Sequence, residues 1–532
     1  MLYQTGGGRA LPTDLHLPLM EIIGLPSERQ KEQSMEISFE GREAVVYREY
    51  AYLARRAQET AESVVPDTEA DIQKIAAVQS GVILKSKDLS SRGVTVSGEM
   101  YANILYIPEG EAGVNSIRVR RSFTLDFETE GPEFETLAQV SLLLQGTDVR
   151  TVNPRKVSVS FDVEGQLCCY RSESLCVDAA LPENAGGLHA KMEEYTLVLP
   201  NAVCEKGVAV NEQFSFTDGQ RVPERLLSEK AALRITDCQL LGSRMIVKGS
   251  AEVCVIGQSG EDAMPVVGSF SAPFSQILDI GAETMEHCTV KPEITGAYFD
   301  LIDTISGEKA LDMELHAVLQ LVSYEPRMVR CVADAYSNLM PAQLKRQTQE
   351  FALTEAASTV TLSTQERVGL TEVCAELLYV FSTLTRVSAE NGKLSAAVTL
   401  DFVYQSGEGK LSACRRTLTL SGDTGGREMR VLSPGQITVS TEPDGEFVDC
   451  TVTAELCSAV CRKEGISAVS GVILNEESAY VQGSLPTLTL VRREGESLWS
   501  LAKRYHSSEE MIRKLNEDAE TTTRMLLIPK CI

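Results

Sequence analysis

Apolar and polar positions alternate with a period of two along most of this chain. Segments such as "GVTVSGEMYANILYI", "SRMIVKGSAEVCVIG", "KLSAAVTLDFVYQ" and "KVSVSFDVEGQL" carry Val, Ile, Thr and Phe on every second position, and Gly, Asp, Asn and Pro punctuate them. This is the pattern of strands with one face buried, and it predicts a mostly β fold. Helical spacing is scarce before the C-terminal end. The exception is "VVYREYAYLARRAQETAESV" (45–64), which is expected to be a helix.

The alternating segments resemble one another. Gly93–Glu111 can be laid on Arg244–Glu261, and Lys393–Lys410 fits the same template. Each reads as a strand, a turn built on Gly-Glu, and a second strand leading into Phe or Leu. A second block follows in the same order: Val157–Tyr170, Leu311–Tyr324 and Cys450–Cys461. Two blocks recurring in order at a similar period predict tandem units of about 130–150 residues, an ordinary domain size. The expected division is an N-terminal segment 1–40, then sandwich-like repeats over 41–185, 190–345 and 350–482, and a C-terminal module over 486–532. The third repeat is divergent: it has Ala396 and Ala397 where the others carry Gly98 and Gly249.

The C-terminal segment has a different rhythm. A short strand (Leu488–Arg493) and a turn at Gly495 precede Leu498, Leu501, Ala502 and Tyr505, which fall on one helical face. Ser507 and Glu510 have the spacing of a capping box for a second helix whose Met511, Ile512 and Leu515 are expected to face inward. Met525–Pro529 reads as a closing strand. The order is β-α-α-β, in a segment small enough to need neighbours or very good packing.

Charge and cysteine usage narrow the function. The 532-residue chain has a formal net charge of −25, which argues against nucleic-acid partners and anionic membrane surfaces. The C-terminal segment is the part that is not strongly acidic, with eight Lys or Arg against seven Asp or Glu. The N-terminal stretch has no basic n-region followed by an apolar core, and no apolar run is long enough to span a bilayer. A cytoplasmic location is therefore expected. The 14 cysteines lie mostly in strand-like segments, as expected of thiols kept reduced.

The C-terminal segment resembles a LysM domain, on the strength of "GESLWSLAKRY", the spacing to "EEMIRKLN" and the final "LLIP". The resemblance implies a groove with Gly495, Glu496, Ser497 and Leu498 on one side and Asn516 with the loop 517–524 on the other. Trp499, the chain's one tryptophan, is counted with this surface; its other reading is a place in the module's small core. Groove loops that grip N-acetylglucosamine polymers usually carry Asn, Pro and Gly, whereas here the loop reads "NEDAETTTRM", with three carboxylates.

Three β-rich repeats followed by one LysM domain resemble the SPOCS-domain family of spore-coat-associated proteins. That resemblance implies a morphogenesis factor of the endospore coat and cortex, made in the mother cell and recruited to the forespore surface. Its implied partner is the morphogenetic ATPase of the coat's basement layer. The alternative is a protein that clamps peptidoglycan glycan strands through the LysM groove. Self-association through strand edges is a further expectation.

Signs of catalysis are absent from the sequence. The five histidines form no H-x-x-x-H or H-E-x-x-H spacing, there is no C-x-x-C pair, and no phosphate-binding loop ends in Gly-Lys-Ser/Thr. Cys168-Cys169 and Cys457-x-x-x-Cys461 lie in strand-like blocks and read as buried thiols. No cofactor, metal or catalytic residue is expected, and the chain reads as a non-enzymatic interaction protein.

Overall fold

In the computed structural model, which describes residues 34–129, 137–182, 185, 187–216, 221–260, 264–305, 307–480, 487–492, 495–516, 519 and 525–530, the period-two alternation becomes long antiparallel strands. A short strand β1 (Ser34–Ser38) leads. The first segment then holds β2 (Glu40–Val64), β3 (Ile72–Ser90), β4 (Gly93–Pro108), β5 (Asn115–Glu128), β6 (Leu137–Asn153) and β7 (Lys156–Ala180). The second holds β8 (Leu188–Ser215), β9 (Arg225–Leu241), β10 (Arg244–Gln258), β11 (Pro265–Asp279), β12 (His287–Asp303) and β13 (Lys309–Ser337). The third has its first strand in two pieces, β14 (Ala342–Thr354) and β15 (Ser358–Gly369). It continues with β16 (Cys374–Glu390), β17 (Lys393–Ser406), β18 (Leu411–Asp423), β19 (Glu428–Asp444) and β20 (Phe447–Asn475).

Pairing follows one scheme in all three segments. A three-strand meander (β3-β4-β5, β9-β10-β11, β16-β17-β18) faces a second sheet. In that sheet the last long strand is flanked by the first strand and the one preceding it: β2-β7-β6, β8-β13-β12, and β14/β15-β20-β19. Each pair of sheets closes on its own core. Phe161 and Met100 anchor the first, Met245 and Leu319 the second, and Phe402 and Leu456 the third, all fully enclosed. Burying side chains of this size contributes about 1.5–3 kcal/mol each.

One sequence expectation is overturned. The stretch 45–64 is not a helix but most of strand β2, paired with β7 from Glu40↔Ala180 to Val64↔Lys156. Its Leu53, Ala57 and Ala61 all pack on the first core. A spacing of four fits a strand's two-residue period as well as a helix's 3.6, and the long partner strand decides between them. The turns built on Gly-Glu stand where the chain reverses, between Pro108 and Asn115, between Gln258 and Pro265 and between Ser406 and Leu411, while β4 runs straight through Gly98 and β10 through Gly249.

Gly98 and Gly249 serve close packing rather than reversal. Each lies opposite a β-bulge, at Leu84/Ser86 and Ile235/Asp237 respectively, and each pairs on its other side with a phenylalanine, Phe123 or Phe274. A Cβ on Gly98 would stand 2.5 Å from the Phe123 ring, and one on Gly249 would stand 2.3 Å from the Arg234 carbonyl oxygen. The third unit keeps the bulge, at Leu384/Arg386, but puts Val398 at the equivalent position, facing Leu418. The smaller leucine leaves room for the valine.

The long strands extend past their own sandwiches and meet. Val46, Leu175 and Val177 from the first unit, Leu197, Leu199 and Val329 from the second, and Phe351, Leu353 and Ile466 from the third form one shared core. Another shared core brings together Leu105, Leu227, Ile256, Phe381 and Val403. Side-chain amides extend the backbone ladders across the joints. Gln320 donates to the Val140 carbonyl and accepts from its N–H, both at 2.7 Å, and Gln145 pairs likewise with Val387. Asp401, held by a two-pronged Arg415 contact at 2.6 and 2.8 Å, accepts the Val78 N–H of the first unit. Because a buried carboxylate is stable only when paired, these contacts fix the angle between units.

Strand β1 pairs with the far end of β20, Ser34↔Asn475 to Ser38↔Gly471, so the first described strand completes the last unit's sheet.

Candidate docking site in the C-terminal module

Four short elements follow the third unit: β21 (Leu488–Arg492), α1 (Leu498–Arg504), α2 (Glu509–Leu515) and β22 (Met525–Pro529), with β21 and β22 antiparallel. Ser497 caps α1, its hydroxyl accepting the Ser500 N–H at 3.1 Å. The cap of α2 is Ser508, accepting the Met511 N–H, rather than the expected Ser507, which is fully buried at the corner between the helices. The two serines are adjacent, and only the folded corner chooses between them.

Leu498, Leu501, Ala502, Ile512, Leu526 and Ile528 make the core of this module. Met511 and Leu515, expected to face inward, are 38% and 46% exposed; α2 has seven residues and commits Ile512 alone to the core.

The core is completed by the body. A bulge between Val332 and Asp334 re-aims the end of β13. Tyr336 enters the module's core, and its hydroxyl donates to the Ser507 carbonyl at 2.8 Å. The Trp499 ring meets Tyr336 edge-to-face, with centroids 4.8 Å apart, and the Trp499 indole N–H donates to Asp334 at 2.8 Å. The Lys503 ammonium reaches both Asp334 oxygens at 2.8 Å. Burial pushes the Asp334 carboxyl upward, but the hydrogen bonds from Lys503 and Trp499 outweigh it and hold the group below the ordinary aspartate value. The Tyr480 ring lies 3.9 Å from that of His506, adding a second point of attachment.

Each residue placed in the groove by the sequence has a definite environment. Gly495 adopts φ +83° with open space where a Cβ would stand, a turn conformation that favours glycine. Glu496 forms a two-pronged ion pair with Arg504 at 2.6 and 3.2 Å. Ser497 is the helix cap, Leu498 is core, and Trp499 faces the module's own chain. Asn516 pins the end of α2 to β22: its amide donates to the Ile512 and Leu527 carbonyls, both at 2.8 Å, and accepts the Leu527 N–H at 2.9 Å. Gly495 and Ser497 are therefore exposed together at one turn, while Leu498 and Trp499 point into packed protein. Of the second groove wall, Ala519 is described and buried; 517–518 and 520–524 lie outside the described residues.

The module's free face is on the other side of its sheet. The register puts Leu488, Leu490, Leu527 and Met525 together on the outer surface, 49%, 57%, 36% and 49% exposed. Thr489, Val491, Leu526 and Ile528 take the inner face. Four large apolar side chains side by side on one small sheet form a contiguous patch, which in a folded protein marks a contact surface.

Sequence reasoning missed Asp334 and Tyr336. Their one trace is an acid inside an otherwise apolar strand end, "VRCVADAYSN".

No family model, no curated protein and no solved structure matches this chain. Among the described residues no group of three or more His, Cys, Asp or Glu is arranged to hold a metal ion, and no helix is long and apolar enough to cross a membrane.

Proposed function

We propose that this chain is a non-enzymatic structural and interaction protein of endospore envelope assembly, as its resemblance to SPOCS-domain proteins with a C-terminal LysM domain implies. In this reading the three sandwich units are a rigid platform, and the LysM-like module is the arm that docks to a protein at the forespore surface, on the mother-cell side. The partner is the morphogenetic ATPase of the coat's basement layer. The observation that carries the reading is the exposed apolar face of Leu488, Leu490, Met525 and Leu527 on a module whose opposite side is anchored to the body. The recurring strand order supports three homologous units.

A protein contact is favoured over a sugar clamp. Sugar clamps need aromatic faces and free polar groups, and here Trp499 is engaged with Asp334 and Tyr336 while the Asn516 amide makes three bonds within the module. The test is co-purification of the full chain with the recombinant coat ATPase. The complex is expected with the native chain and lost in the Leu490→Glu/Leu527→Glu double variant, whereas sedimentation with purified peptidoglycan is expected to be negative. A complex that survives the double variant rejects this surface, and sedimentation with peptidoglycan that needs Gly495 and Ser497 would favour the glycan reading. A fluorescent fusion should form a ring around the forespore.

A further inference from the structure

At the junction of the three units lies a cavity of about 230 Å³. Its walls are the outer face of the first unit's meander, the edge of β9, the middle of β12, and the segment Leu432–Pro434, where β19 slips register against β20. Most of the surface is apolar, with Ile83, Leu143, Leu233, Ile294 and Phe299 among the lining side chains.

Its polar groups are mostly hydrogen-bond donors. Lys230, on β9, lines the wall and is half-buried; no hydrogen bond or ion pair reaches its ammonium among the described residues. Glu293, on β12, also lines it and accepts the Leu142 N–H at 3.3 Å. Burial pushes the Glu293 carboxyl up to about 8, so near neutral pH it is protonated and a donor. Arg118 and Arg120 stand where the cavity reaches solvent, their side chains 45% and 63% exposed. Arg118 is paired with Glu229, and Arg120 with Glu99. Burial disfavours the charged form of Lys230, and an anion beside it would restore that charge.

We infer that this cavity is a binding site for a small organic carboxylate with an apolar body, its carboxylate held by Lys230 and its body lying against Ile83, Leu233 and Phe299. The site has the usual anatomy of a small-molecule pocket, apolar walls with a few convergent polar groups, placed where domains meet.

Calorimetric titration of the full chain tests this, with sodium octanoate as the probe and octylamine hydrochloride as its opposite-charge match. Octanoate is expected to bind saturably at one site, at least about tenfold more tightly than octylammonium. Lys230→Met should weaken octanoate by about tenfold or more, because it removes the charge and keeps the stem. Ala297→Phe, which fills the cavity from β12 without touching a charge, should abolish binding while thermal unfolding stays close to that of the native chain. Octylammonium binding as tightly as octanoate, no saturable octanoate binding, or binding that survives Ala297→Phe would each overturn the assignment. Should Lys230→Met fail to fold, the ligand pair on the native chain and Ala297→Phe still decide.

Discussion

The three-unit body and the C-terminal module both rest on apolar cores, but they close them differently. The sandwich cores are complete within each unit, and the shared cores add a second layer of contact between units. The module has too few residues to close its own, and Tyr336 of β13 fills the remaining gap. Small domains bury a lower fraction of their surface and need such help. The difference also assigns roles to faces: a surface that completes a core is unavailable to a partner, whereas the face left bare is available. Trp499 belongs to the first kind and Leu490 to the second.

The sharpest way to break this comparison is in the body. Phe161→Ala removes a fully buried ring and is expected to cost about 3–5 kcal/mol, lowering the main unfolding transition seen by calorimetry. Ile512→Ala empties the module's core at a cost of about 2–5 kcal/mol. It should speed hydrogen exchange in α1 and α2 and leave the body's transition where it was. A body transition that moves with Ile512 would mean that the two regions fold as one unit.

Smaller effects are expected at the anchor. Tyr336→Phe strips the hydroxyl from a buried contact and leaves the Ser507 carbonyl without that donor, at a cost of about 1–3 kcal/mol to docking. The lone Trp499 reports this directly through its fluorescence. The same signal gives the pH dependence. The Asp334 carboxyl is depressed in the docked state, so its contribution is fully present above the free-aspartate value of 3.8 and fades as pH falls through the lower docked value. Trp499 emission that stays constant through that acid range would remove Asp334 from the anchor. Leu490→Glu should be the mildest for stability, within about 0.5 kcal/mol, while weakening the proposed partner contact.

The β class was legible in the sequence because a period of two, sustained over many residues, has few other meanings. What was not legible was where each strand's neighbours lie. In β7 the alternation that packs Val163 in its own sandwich is interrupted by Arg171 and Glu173 and resumes at Leu175 and Val177, which pack between units. The sequence shows the break but not that the strand runs on through it to a second core. The 45–64 stretch failed for a related reason, since four-residue spacing satisfies two geometries and only β7 separates them. The recurrence of glycine at 98 and 249 was visible in the sequence, but its use was not, because only the ring of Phe123 or Phe274 against it makes close approach the reason. In the module, the first helix's apolar face was readable from Leu498, Leu501 and Ala502. The anchor was not, since Asp334 and Tyr336 lie far away along the chain.

The pairing of β1 with the end of β20 has a consequence for the order of events during synthesis. The residues that receive Ser34–Ser38 are Gly471–Asn475, so this strand leaves the ribosome long before its partner exists. At about 5–20 residues per second the wait is roughly twenty seconds to a minute and a half. Throughout it, a strand with unpaired N–H and C=O groups is on offer to any other edge, including the unfinished last unit of a neighbouring nascent chain. On a crowded polysome the same five residues that lock one molecule shut are the segment best placed to link two.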